Sequence, residues 1–512
     1  METTSLQLPI LIFLILLLTY GFFFLRRKKP KTTGFKNYPL LGTVPEFIRN
    51  RHRFLEWTTQ VLSDSPTNTA LLFRFTEIKG FITANPANVE HMIKTNFENY
   101  PKGTRFISIL EDFLGRGIFN AEGETWKAQR KTASYEFNTR SLRNFVMETA
   151  MVELTTQFVP ILERAADLNR VIDLQDLLER YAFDNICRVA FNVDPCCLAG
   201  DGTSGSEFME AFEEASTLSC RRFFSVYPEF YKIKKLLNFG SELKLKKSII
   251  TVHKFAGDII KSRMEEKDAR PEEDLLSRFM RQSEYSPEFL RDIVISFILA
   301  GRDTTSSALT WFFWVLSLHP EVEQKILAEL KTIRRKSGES RRGFYTFEEL
   351  RQMHYLHAAI SEGLRLYPPV PMDTKDCLKD DVMPDGTVVR KGWFVSYNTY
   401  AMGRMENIWG KDCREFRPER WLVEEEGSGG HMVYRSENPY KFPVFHGGPR
   451  ICLGKEMAYT QMKLVASRII EIFKVEVVAE MKNPPEHVLS LTMRMKDGLR
   501  VRVRKRSESN EL

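Results

Sequence analysis

The run Phe445-His446-Gly447-Gly448-Pro449-Arg450-Ile451-Cys452-Leu453-Gly454 places one cysteine in a glycine-rich loop, just ahead of a stretch that predicts a helix from Lys455 to Ile472. A thiolate there gains backbone N–H donors and a helix N-terminus, both of which lower a cysteine's pKa. Arg450, two residues earlier, can meet an anionic group on the same side. A thiolate with a nearby arginine and little side-chain bulk suits a flat, carboxylate-bearing metal macrocycle. Haem held by cysteine is the arrangement that pushes electron density toward O–O cleavage. The plainer alternative is a buried cysteine near a helix start.

A second group, Ala300-Gly301-Arg302-Asp303-Thr304-Thr305, sits in the middle of an apolar stretch. Gly301 costs about 1 kcal/mol against Ala in a helix. Thr304 can bond the carbonyl four residues earlier and bend the ladder. Together they predict a groove wide enough for O2. Buried charges are costly unless paired, so Arg302 and Asp303 need partners or a task. A buried ion pair between them, with Thr304 as packing, is the structural alternative. Glu362 and Arg365, three apart, share a helix face and can pair. Trp126 and Arg130, four apart, share another, although a surface helix with a buried Trp would look the same.

These groups need elements to hold them. Residues 286–318 predict one long buried helix, capped by Ser286 with Pro287 in its first turn and ended by His319-Pro320. At ~1.5 Å per residue it spans on the order of 50 Å. Residues 347–367 predict a helix that must stop before Pro368-Pro369. Strands are expected over 71–83 and 382–398, with turns at Asp385-Gly386 and Lys391-Gly392. A last hairpin is expected over 489–504, turning at Asp497-Gly498. The fold class is mainly α with small β-sheets.

The chain has 512 residues, 43% hydrophobic and 28% charged, values of a globular protein with ample core material. Its net charge of +7 is mild and partly gathered at 26–31 and 500–506, so it describes no nucleic-acid face. Seven cysteines without metal-site or framework spacing fit a reducing compartment. Residues 8–25 form an uncharged run rich in Leu, Ile and Phe, followed directly by Arg26-Arg27-Lys28-Lys29. That order predicts a single-pass signal-anchor in the endoplasmic reticulum membrane with the body in the cytosol. The expected organisation is an anchor at 1–29, a Pro/Gly hinge at 30–45, a body at 46–506 and a polar tail at 507–512.

Together the motifs resemble those of the cytochrome P450 family. Phe445, Gly448, Arg450, Cys452 and Gly454 match its haem loop, F-x-x-G-x-R-x-C-x-G. Ala300 to Thr304 match A-G-x-D/E-T, Glu362 and Arg365 match E-x-x-R, and Trp126 and Arg130 match W-x-x-x-R. The resemblance implies haem b with Cys452 as axial iron ligand, and Arg450, Trp126 and Arg130 on its propionates. It implies that Thr304 steadies dioxygen, that Asp303 feeds protons, and that Glu362, Arg365 and Arg420 form a structural triad. Phe416-Arg417-Pro418-Glu419-Arg420-Trp421 departs from the family's commoner ending, with Trp421 for Phe.

The stretches Asn96 to Gly103, Gly115 to Asn120, Ala300 to Thr305 and Gly454 to Ala458 are similar to those of plant membrane-bound members that hydroxylate the terminal (omega) carbon of fatty acyl chains, some of which continue to the acid. Relatives take jasmonoyl-isoleucine or oxidise the side-chain terminus (C-26) of hydroxylated sterols, and both stay open as alternatives. By position in the family, Phe106, Ile107, Ile109, Phe297, Ala300, Val370, Met372, Leu491 and Met493 would line the substrate pocket, although each could be plain core. Lys102 and Arg105 could meet a fatty carboxylate at its mouth. No dinucleotide fingerprint follows a strand, so NADPH electrons would arrive from a separate NADPH–cytochrome P450 reductase. A hydroperoxide isomerase or a non-catalytic haem sensor would have less use for the retained Asp303-Thr304 pair.

Overall fold

The computed structural model describes residues 34–506 except for 39, 75–76, 138–144, 200–204, 226–229, 266–273, 282–285, 338–343, 428–429 and 479–483. The expected anchor at 1–29 and tail at 507–512 lie outside the described residues. Among the described residues no helix is long and apolar enough to cross a membrane. The chain forms two compact units, one running to Gly103 and including Met372–Cys413, the other made of Thr104–Pro371 with Arg414–Leu512.

The first unit is built on a four-stranded sheet. Thr69–Arg74 and Glu77–Thr83 pair antiparallel, Glu77–Thr83 then pairs in parallel with Phe394–Asn398, and Met372–Asp376 closes the sheet antiparallel. Gly80 stands where any Cβ would strike the Phe394 carbonyl, so only glycine lets those two strands meet. Gly386 (φ 84°) turns the small hairpin of Asp381–Val382 and Val388–Val389 at the expected place. Asp381 accepts from Tyr100 (2.7 Å), Asn96 (2.8 Å) and His91 (2.9 Å), and these bonds outweigh burial and hold its pKa at about 2.

The second unit is mainly helical. Leu174–Phe191, Ser206–Phe223, Ser241–Glu265 and Pro287–Ile298 enclose an apolar core that includes Phe183, Phe212, Val252, Ile293 and Ile298. Ser286 caps the last of these, accepting from the Phe289 N–H (3.2 Å). The long helix expected over 286–318 is, however, interrupted. An α-segment, Pro287–Ile298, passes through a π turn, Leu299–Asp303, into a second α-segment, Thr304–Ser317. The first segment is held by Asp292, whose carboxylate accepts the Arg116 N–H (2.8 Å). The second is held by Ser307 and Trp311, which donate to the Met493 carbonyl (2.7 and 3.0 Å).

Two further expectations are corrected. Residues 347–367 form two helices, Phe347–Gln352 and His354–Leu366, because Met353 (φ −78°, ψ 78°) leaves helical geometry. The second helix starts on a carboxylate from elsewhere: Glu329 accepts the N–H groups of Tyr355 (2.6 Å) and Leu356 (2.9 Å). The expected hairpin over 489–504 is not formed either. Met493–Met495 pairs with His487–Leu489, whereas Arg500–Lys505 lies between Phe473–Val477 and Val171–Asp173. Asp497 (φ 67°) and Gly498 (φ 74°) do turn, but into another sheet. Asp173 fixes that choice by accepting the Leu499 N–H (2.9 Å).

Candidate active site

The cysteine loop is two short 3-10 turns, Pro443–Phe445 and Gly448–Arg450, leading into the helix Lys455–Ile472. The Cys452 N–H donates to the Phe445 carbonyl (2.9 Å) and closes the loop, while the Phe445 ring packs 5.0 Å from that of Tyr459. Gly448 (φ 62°) takes a left-handed conformation open to glycine, and His446 (φ 61°) takes it with a side chain. A Cβ on Gly454 would sit 3.3 Å from the Phe137 ring, so the start of the helix tolerates little bulk.

Cys452 has exposed surface, yet protein surrounds it on its other sides. Burial is the largest influence and pushes its thiol above the usual cysteine value, against the Gly454 N–H, Arg130 and Lys455, which pull it down. The expected lowering is thus overturned for the protein alone. Desolvation outweighs the local donors, and holding a thiolate requires a bound cation. Among the described residues no group of three or more His, Cys, Asp or Glu gathers as a metal site. A lone thiol suits only a metal that brings its other ligands along, and haem fits that requirement.

Trp126 is buried with two guanidiniums near its ring, Arg450 at 4.3 Å and Arg130 at 5.9 Å from the centroid. Arg130 donates to the Ile451 carbonyl (2.7 Å) and Arg450 to that of Ala121 (2.9 Å). Both cations are thereby fixed beside the cysteine loop, where carboxylates of a macrocycle could be met.

At the π turn, Thr304 Oγ1 donates to the Ala300 carbonyl (2.6 Å), as its position predicted. Gly301 lies within the π turn, where the ladder is loosened, and it has a second purpose. A Cβ there would come 2.6 Å from Ile186, so the glycine lets this helix approach Leu174–Phe191, and the loosened ladder belongs to the π turn. Asp303 and Arg302 do form a buried ion pair, with Arg302 Nη1 2.7 Å from Asp303 Oδ1. Burial pushes the Asp303 carboxyl up to about 6 against the pull of Arg302, and Glu179 raises it further. Glu179 accepts Arg302 Nη2 (3.3 Å) and both branches of Arg494 (2.8 and 3.0 Å), and Arg494 also pairs with Glu213. The sequence reading did not find Glu179, Arg494 or Glu213.

Glu362, Arg365 and Arg420 meet in one buried network. Glu362 accepts Arg365 through both branches (2.7 Å each) and Arg420 Nε (2.8 Å). Trp421 Nε1 (2.9 Å) and the Arg417 N–H (3.0 Å) complete the set. Trp421 is therefore more than an aromatic substitute: its indole supplies a donor that Phe lacks.

Of the expected pocket residues, Ile109 and Phe297 belong to one buried apolar cluster, and Phe106 and Leu491 pack against it. Leu453, the neighbour of Cys452, packs against the same cluster. Ala300 is half-buried at the π turn, Ile107 is half-buried, Met493 is buried on its strand, Val370 is exposed, and Met372 belongs to the other unit. Lys102, expected at the mouth, is paired with Asp373 (2.7 Å) and mostly buried; Arg105 lies over the Phe223 ring (5.7 Å).

Residues 33–500 match the family model Cytochrome P450. The chain is 51% identical to cytochrome P450 CYP94D108 of Paris polyphylla, with 94% of each chain covered. It is 46% identical to cytochrome P450 94A1 of Vicia sativa, covering 92% of this chain and 90% of that one. Against cytochrome P450 94B1 of Arabidopsis thaliana the identity is 44%, with 95% and 94% covered.

Proposed function

The chain belongs to the cytochrome P450 family, a haem monooxygenase of the 94 type, and from that premise we propose that it hydroxylates the terminal carbon of a fatty acyl or related lipid substrate. The observation that carries this substrate class is the 44–51% identity to 94-type cytochromes over more than nine-tenths of the chain; the apolar side chains of Phe106, Ile109, Phe297, Leu491 and Leu453 around one core agree with it. A bound haem would supply oxygen activation, and the Cys452 thiolate would hold its iron and donate electron density to it. Arg450, Arg130 and Trp126 hold its carboxylates. Thr304 and Asp303 move protons at the π turn, while Glu362, Arg365 and Arg420 keep the loop folded. Apolar side chains orient the acyl chain and exclude water from it.

Electrons come from NADPH through a separate reductase. The uncharged run at 8–25, with its basic flank at 26–29, anchors the protein in the endoplasmic reticulum membrane. Exposed Phe230, Ile233, Leu236, Leu237 and Phe239, interleaved with Lys232, Lys234 and Lys235, suit contact with a lipid surface.

Microsomes carrying the protein, a plant reductase and NADPH test the reading when offered dodecanoic acid, jasmonoyl-isoleucine and a hydroxylated cholesterol in parallel. Terminal hydroxylation of the fatty acid is expected. Product from the sterol or the conjugate alone would replace it with one of those substrates.

A further inference from the structure

Arg302 is 2% exposed, yet its Nε–H has no hydrogen-bond partner. Its Nη1 reaches Asp303 at 2.7 Å, while its Nη2 makes only a long contact, 3.3 Å, with Glu179. Asp303 therefore holds its cation by one prong, not by the two-pronged pairing that locks an arginine to a carboxylate. Glu179 competes for the same guanidinium and is itself clamped in two-pronged fashion by Arg494. Four elements meet here: the π turn, helix Leu174–Phe191 with Glu179, helix Ser206–Phe223 with Glu213, and strand Met493–Met495 with Arg494. Two guanidiniums face the buried carboxylates of Asp303 and Glu179, while Glu213, 40% exposed, stands at the solvent edge of the cluster. Burial pushes the Asp303 carboxyl up to about 6, within reach of protonation near neutral pH.

We propose that Glu179 is a positioning residue for proton delivery: by competing with Asp303 for the Arg302 guanidinium, it leaves Asp303 free to give up and regain a proton beside Thr304. In this exchange Asp303 releases its proton toward the Thr304 side. The carboxylate formed pairs with the Arg302 Nη1–H at 2.7 Å, the arrangement in the structure, and a proton taken from water restores the acid and lets Arg302 relax toward Glu179. The inference rests on the reading of Asp303 and Thr304 given above.

The test uses the full-length enzyme with reductase, NADPH and dodecanoic acid, and reads product per NADPH across pH. An activity that needs protonated Asp303 falls as pH rises through its pKa. Glu179→Gln removes the competitor, so Arg302 closes on Asp303 and the fall moves to lower pH by about one unit. Product per NADPH at neutral pH drops about threefold to tenfold, less than the roughly 10²–10⁴ of a direct proton donor. Arg494→Gln frees Glu179 to take Arg302, and the fall moves the opposite way, to higher pH. Infrared titration of the protonated carboxyl band, assigned by its loss in Asp303→Asn, reports the same two shifts without turnover.

A merely structural cluster would lower haem content or thermal stability without opposite pH shifts. Unmoved limbs, or limbs moving together, overturn the inference; if Glu179→Gln does not load haem, the direction seen in Arg494→Gln decides. Asp303→Asn run alongside separates the two levels. Full coupling in that variant removes the parent reading, whereas loss there with no shift in the other variants removes only the role of Glu179.

Discussion

The Glu362 triad and the Arg302 cluster are both buried ionic networks in the same unit, yet they are finished to different degrees. Glu362 accepts five N–H donors at 2.7–3.0 Å and is fully buried. Arg302 keeps one prong on Asp303, a stretched contact to Glu179 and an orphaned N–H. A satisfied buried network has one arrangement and rigidifies what it touches; a partly satisfied one has alternatives of similar energy. On the function proposed above, the difference separates a site that holds a shape from a site that moves a proton.

The largest effect is expected at Cys452, the proposed iron ligand. Cys452→Ser should abolish the thiolate-type spectrum of the CO-bound reduced protein together with all product. An unchanged spectrum would remove Cys452 from the iron. Glu362→Gln should come next, because it leaves Arg365 and Arg420 buried without a counter-charge, at about 3–5 kcal/mol. Haem content and thermal unfolding measure it, and a well-loaded, stable variant would dissolve the contrast drawn here.

Thr304→Ala should sharpen the contrast from the other side. The fold and the spectrum should stay, while product per NADPH falls about tenfold or more and peroxide accumulates. Tight coupling in this variant would take Thr304 out of the chemistry. The smallest effect belongs to Trp421→Phe, which removes one donor from Glu362 and should cost about 1–2 kcal/mol. Its melting temperature should drop by about 1–2 °C with catalysis unchanged.

What the sequence disclosed follows the same division. The cysteine loop, Thr304 and the Glu362–Arg365 pair were legible because their partners lie within a few residues along one loop or helix face. Glu179 and Arg494 were not, since they come from a distant helix and strand, and single glutamates and arginines carry no periodic signal. The break at Met353 hid for a related reason: the carboxylate that starts the next helix is Glu329, on the helix Pro320–Ser337. Alternation of apolar residues located the strands at the C-terminal end but not their partners, and Asp173 sent the last one to another sheet. The close approach of Ile186 to Gly301 was not legible either, because it comes from a distant helix.

The π turn has one more consequence. With 3.6 residues per turn, an extra residue in the ladder rotates everything beyond it by about 100°. The twelve residues before it and the fourteen after it are thus two screws cut out of phase. One is timed to bring Asp292 onto Arg116, the other to bring Ser307 and Trp311 onto Met493. Deleting a single residue between 299 and 303 would heal the helix and mistime one of these two grips, so the irregularity works as a gear offset between them.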